Sequence, residues 1–160
     1  MKRIIKRIVI IHPYSHKMPN RAEHAKNFLH WKETVIRLKE EGCYVVQVGK
    51  SGEPLIGADE IVLNASFDRL KKELDRADTF VCVDSFFQHF ARYHNRNGIV
   101  IFSKSDPDIF GYPENVNLLK SRDYLRKDQF LKWDVEPYDV DSFVSVEDVI
   151  DSILKVIKLR

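Results

Sequence analysis

Asp84 and Ser85 stand where an apolar run, Thr79 to Val83 (TFVCV), gives way to FFQHFARYH. A helix that starts at the end of a buried strand offers unpaired backbone N–H groups and a positive dipole end, a setting that suits phosphate. Ser85 and the following N–H groups can donate to phosphate oxygens. His89, one helical turn on, can donate from the same face. Asp84 cannot usefully face a phosphate; it would accept from a sugar hydroxyl or orient the turn. The same residues also fit a plainer reading: an N-capping aspartate, a serine hydroxyl satisfying the helix start, and a surface histidine.

Other strand ends add candidates. Tyr14 and Ser15 follow the β-branched run Arg7 to His12 (RIVIIH). Glu53 follows Cys43 to Val48 (CYVVQV) and Gly49, where a carboxylate can bind ribose hydroxyls or remain a solvated loop charge. Ser105, Asp106 and Pro107 form a turn after Ile99 to Phe102 that could cover a ligand. Phe110 and Tyr112 could stack on a base, or plug the core as ordinary aromatics. His12, His16 and His24 share a stretch with no cysteine nearby and lack the close ligand pairs of a zinc site, so no metal is expected. Ser85 lacks the flanking glycines of a hydrolase elbow.

Alternating strand and helix patterns must place these residues. Pro13 to Lys26 reads as a long polar loop, and such loops are often functional. Asn27 to Glu41 carries Phe28, Trp31, Val35 and Leu38 at helical steps, with Gly42 as its cap. Ile61 to Leu63 is a short strand, and Ser66 caps a helix with Phe67, Leu70 and Leu74 on its apolar side. Thr79 to Val83 is a strand, Phe86 to His94 a helix, Ile99 to Phe102 a strand and Asn115 to Leu119 a further one. Arg122 to Val140 has weak periodicity and is expected to wrap the surface with a short helix. Ser145 opens a closing helix whose apolar face is Val149, Ile150, Ile153, Leu154 and Ile157. The alternation predicts an α/β fold: one Rossmann-like domain over residues 1–160, its parallel sheet covered by helices on both faces. Ligands of such sheets bind beyond the carboxyl ends of the strands.

Composition narrows the classes. The 160 residues are 44% apolar and 31% charged, which is globular. A net charge of +2 gives no argument for nucleic acid, and the basic start, Met1 to Arg7, reads as a solvated lead-in to the first strand. Cys43 and Cys82 lie in apolar runs and read as buried, reduced thiols, which fits the cytoplasm. No apolar run is long enough to span a bilayer.

The stretches IVIIHPYS, AKNFLHW, VVQVGKSGE, VCVDSFFQHFA and SVEDVIDSI, taken in order, resemble the C-terminal, nucleotide-sugar-binding half of the heptosyltransferase-like glycosyltransferases (glycosyltransferase family nine). That resemblance covers nearly the whole chain and implies one half of a B-type glycosyltransferase fold. It implies that Asp84, Ser85 and His89, matching the Asp-Ser-Gly-x-x-His signature, hold a donor diphosphate and sugar. It also implies that Lys26, with Lys17 as a rival in the same loop, neutralises the diphosphate, and that Glu53 is the acidic residue after the second strand. Phe86 departs from the pattern, standing where the family usually has glycine. The acceptor-binding half has no counterpart in these residues.

The expected function is therefore a glycosyltransferase-like protein that binds a nucleotide-diphosphate sugar and transfers the sugar with an acceptor-domain partner or a second copy. The alternative is a non-catalytic module that binds a nucleotide or ADP-sugar for sensing, sequestration or regulation. The site needs no cofactor: dipole, lysine and histidine stabilise a departing diphosphate, and the base would come from the missing half.

Overall fold

The computed structural model describes residues 5–16, 18 and 23–158. It has six strands: β1 (Ile8–His12), β2 (Tyr44–Gly49), β3 (Glu60–Leu63), β4 (Thr79–Val83), β5 (Ile99–Ile101) and β6 (Val116–Leu118). Five helices accompany them: α1 (Trp31–Glu40), α2 (Phe67–Arg76), α3 (Phe86–Tyr93), α4 (Pro107–Phe110) and α5 (Val146–Lys158). All strands pair parallel, in the order β3-β2-β1-β4-β5-β6. Parallel sheets need both faces covered, and their strands then read as continuous apolar runs. Every residue of β4 is buried.

The two faces follow the period of two along each strand. Val9, Ile11, Val45, Val81 and Val83 turn to one side, where α1 supplies Trp31, Val35 and Leu38 and α5 supplies Val149, Ile150 and Ile153. Ile10, Val46, Val48, Phe80 and Cys82 turn to the other, against Leu70 and Leu74 of α2 and Phe87 and Ala91 of α3. Both cysteines are buried and unpaired. Burial raises both thiols, so they stay protonated.

Local caps explain the ends. Gly42 takes φ +83, a conformation that favours glycine, and its N–H bonds the Lys39 carbonyl while that of Cys43 bonds the Leu38 carbonyl. Ser66 Oγ accepts from the Arg69 N–H, and Ser145 Oγ from the Asp148 N–H.

The first helix is shorter than its periodicity predicts. It begins at Trp31 because Asn27 is drawn into the preceding loop, where Oδ1 accepts from the Ser15 N–H and Nδ2 donates to Glu23. The turn after β5 also differs from expectation: Asp106 and Pro107 start the short α4. Residues 122–140 wrap the surface through 3-10 turns at Arg122–Tyr124, Trp133–Val135 and Val140–Ser142, with no α-helix.

The strand order reverses direction between β1 and β4. Their register sets Ile11 beside Val81 and His12 beside Cys82, so the loops leaving both strands part at one crevice. Crevices of this kind hold the ligands of open α/β sheets.

Candidate functional site

A cavity of about 590 Å³ opens at that crevice, within the range of small-molecule sites. It collects Tyr14, Ser15, Lys26, Glu53, Asp84, Ser85, Phe86 and His89 from four separate chain segments. Its opposite wall is apolar, built by Val62, Ala65, Phe67 and Leu70 around the entry to α2.

The β4–α3 corner forms the floor. Ser85 is the N-cap of α3, yet its hydroxyl makes no cap hydrogen bond. It turns instead to His12, with Oγ 3.3 Å from Nδ1. Such a hydroxyl normally answers one of the orphan N–H groups of a helix start, so this start keeps that donor for an anion. His12 stacks on Phe87, ring centroids 5.3 Å apart, and meets the edge of Phe86 at 5.9 Å. Burial pushes the His12 imidazole down to about 4, against a hydrogen bond to its own backbone and with the Lys50 charge adding to the fall. At neutral pH it is an uncharged partner for Ser85.

Asp84 is nearly fully buried. Its Oδ1 accepts from Gln88 Nε2 at 2.6 Å, and the Lys26 ammonium lies 3.2 Å from Oδ2. Oδ2 has that ion-pair contact but no hydrogen bond of good geometry. The carboxylate thus joins Gln88 of α3 to the lysine.

Glu53 curls back onto its own loop, where its carboxylate accepts from the Lys50 N–H. Gly49 makes room for this: a Cβ there would lie 2.5 Å from Glu53 Oε1. His89 is exposed at the rim, with Nδ1 2.6 Å from the Tyr112 hydroxyl. Burial, with Glu23 and Glu53 nearby, pushes the Tyr14 phenol up to about 12, so it is a hydrogen-bond donor. Phe110 lines the cavity, while Tyr112 reaches it only through His89.

Ser105 and Asp106 do not line the cavity. Ser105 is buried beside the end of β5, and Asp106 accepts from the Asp108 N–H at 2.9 Å and from Arg122 at 2.7 Å. Arg122 holds the Asp106 carboxyl below the usual carboxylate range. Lys17 lies outside the described residues.

Sequence reasoning missed His12 as a lining residue, together with Lys50, His16 and Asn64. Lys50 and His12 each sit at a strand end on the switch-point side, which is the pattern that would have found them. Asn64 takes φ +54 and bonds Ser51 through its amide, joining the loops after β2 and β3. Among the described residues no group of three or more His, Cys, Asp or Glu is placed to hold a metal ion, and no helix is long and apolar enough to cross a membrane.

No protein-family description and no curated protein matches the sequence. Solved structures do match in fold. A family 9 glycosyl transferase from Veillonella parvula superposes with a TM-score of 0.74 at 14% identity, over 97% of this chain and 47% of that one. The ADP-heptose LPS heptosyltransferase II of E. coli gives 0.67 at 14% identity, over 96% and 47%. The dodecameric iron-containing heptosyltransferase TibC, solved with ADP-D-β-D-heptose, gives 0.67 at 16% identity, over 100% and 49%. The chain spans about half the length of each. It has the α/β fold of one half of a heptosyltransferase-like, family 9 glycosyltransferase.

Proposed function

We propose that the cavity binds a nucleoside diphosphate, carried by a nucleotide-diphosphate sugar, and that the chain is the donor-binding half of a glycosyltransferase-like assembly. The observation that carries this reading is the start of α3, left without a side-chain cap and facing a cavity of about 590 Å³. Ser85, His89 and Lys26 surround that start with donors. The apolar wall of Val62, Ala65, Phe67 and Leu70 suits the base, and Glu53, on the same cavity, would accept from the ribose hydroxyls. Transfer would need an acceptor and a base supplied by a partner domain or a second copy. The buried free thiols fit a reducing compartment, the cytoplasm.

One observation favours the second reading, a binding module without transfer activity. Both carboxylates that line the cavity are engaged, Asp84 by Lys26 and Gln88 and Glu53 by the Lys50 N–H. Neither stands ready to take a proton from an acceptor hydroxyl.

A thermal-shift screen with nucleoside diphosphates and nucleotide sugars tests the site. A ligand at 100 times its dissociation constant should stabilise by ~2.7 kcal/mol. Asp84→Ala and His89→Ala should reduce the shift. A chain stabilised by none of these nucleotides, or variants stabilised as fully as the unaltered chain, would overturn the proposal. Donor consumption by the chain alone would decide against the module reading.

A further inference from the structure

The segment after β6 holds more buried charge than its surface position explains. The Arg126 guanidinium is almost fully enclosed and donates to the carbonyls of Leu131 at 2.9 Å and Lys132 at 3.1 Å. Its Nε lies 3.3 Å from Glu136 Oε2, and Glu136 Oε1 takes Lys104 Nζ at 2.9 Å. Lys104 follows β5 closely, and its carbonyl accepts from the Arg126 N–H and from Gln129 Nε2. The segment is therefore closed around one guanidinium and bolted to the carboxyl edge of the sheet. Buried ion groups of this kind contribute little net stability, so their use here is geometric.

What the bolt holds in place is Trp133. The Arg126 guanidinium lies 4.0 Å from the centre of the indole. The Lys26 ammonium lies 4.7 Å from the same centre, and the buried His24 ring packs at 5.3 Å. His24 is kept neutral, its pKa pushed down to about 4 by burial and by Lys26, His16 and Arg126. The backbone around Lys26 is pinned on both sides. His24 Nδ1 accepts the Lys26 N–H, Ser103 Oγ donates to the Ala25 carbonyl, and the Tyr138 hydroxyl donates to the Asn27 carbonyl at 2.6 Å. Among the described residues the side chain meets the indole and the Asp84 carboxylate.

We infer that Trp133 is the positioning residue for Lys26. In the ligand-free chain the indole and Asp84 hold the ammonium at the cavity wall, and on binding the ammonium stays on the indole and turns its N–H groups from Asp84 to an anionic oxygen of the diphosphate. This inference rests on the nucleotide reading above for its second step only. An indole face sets the direction of an ammonium while leaving N–H groups free for phosphate oxygens.

The test uses ADP as probe and the full chain, which has two tryptophans. By titration calorimetry, Trp133→Ala should weaken ADP about tenfold, and Trp133→Phe should recover most of the loss, because a phenyl face still holds a cation. Lys26→Met should weaken ADP further, and the double variant should bind no worse than Lys26→Met alone, since the tryptophan acts through the lysine. In a Trp31→Phe background Trp133 is the single tryptophan, and its emission is read apart from tyrosine by red-edge excitation. There, Lys26→Met should shift the emission of the ligand-free chain, and saturating ADP should shift it only when Lys26 is present.

Additive losses in the double variant, or full ADP affinity in Trp133→Ala, would overturn the positioning role. Unchanged emission on Lys26→Met would overturn the resting contact. If the unaltered chain takes no ADP, the nucleotide reading and the bound-state role both fall, while the ligand-free emission still judges the contact.

Discussion

The β4–α3 and β5–α4 corners use the same residue types on the same edge of the sheet and end up opposite in character. At the first, Ser85 turns its hydroxyl to His12, Asp84 takes Gln88 and Lys26, and the start of α3 keeps no side-chain cap. At the second, Asp106 caps the Asp108 N–H, Pro107 brings no N–H at all, and Arg122 closes over the carboxylate. An aspartate and a serine at a strand end therefore do not make a site. What matters is whether the backbone donors of the helix already have partners.

The contrast can be broken most severely at Asp84. Asp84→Ala strands the mostly buried Lys26 ammonium and frees Gln88, and should cost roughly 2–3 kcal/mol in denaturant unfolding while weakening ADP at least about tenfold. Acid should produce the next largest effect. Below pH ~6.5 the unfolded chain protonates His12 and His24, while the folded chain refuses the proton until about 4. Stability should therefore fall as pH drops from ~6.5 to about 4 and lose nothing further through these groups below that. Ring-proton NMR titration should show both imidazoles neutral at pH ~5.5.

Asp106→Ala removes a cap and its exposed arginine partner, for about 1 kcal/mol of stability, and should leave ADP affinity unchanged. Loss of ADP binding in that variant would erase the distinction between the two corners. The smallest effect sharpens it. Ser66→Ala should cost about 1 kcal/mol because its hydroxyl caps α2, whereas Ser85→Ala should cost less than about 0.5 kcal/mol of stability because its hydroxyl caps nothing.

Most of the fold was legible because both periods were clean. The period of two and the continuous apolar runs of RIVIIH and TFVCV named central parallel strands, and Gly42, Ser66 and Ser145 named helix ends by ordinary cap chemistry. The start of α1 was misplaced because Phe28 is buried at helical spacing yet belongs to the loop, held there by the contacts of Asn27. Residues 122–140 were opaque because side chains, rather than a repeating backbone pattern, fold them: Arg126 and Glu136 meet only in three dimensions.

The cavity was half legible for the same reason. Asp84, Ser85 and His89 announce themselves by spacing. His12 meets Ser85 only through the pairing of β1 with β4, and Trp133 meets Lys26 across more than a hundred residues. Those encounters leave no trace in any short window of sequence.

The pairing of β1 with β4 also has a consequence for how the chain comes into being. Ile11 must wait for Val81, seventy residues later, before the middle of the sheet can close. A nascent polypeptide interrupted ahead of Thr79 leaves its first strand with β2 alone, one flank bare and prone to stick. Because such distant partners meet slowly, refolding should be governed by this late closure, and any pocket at the crevice would appear last, as the sign that the whole has assembled.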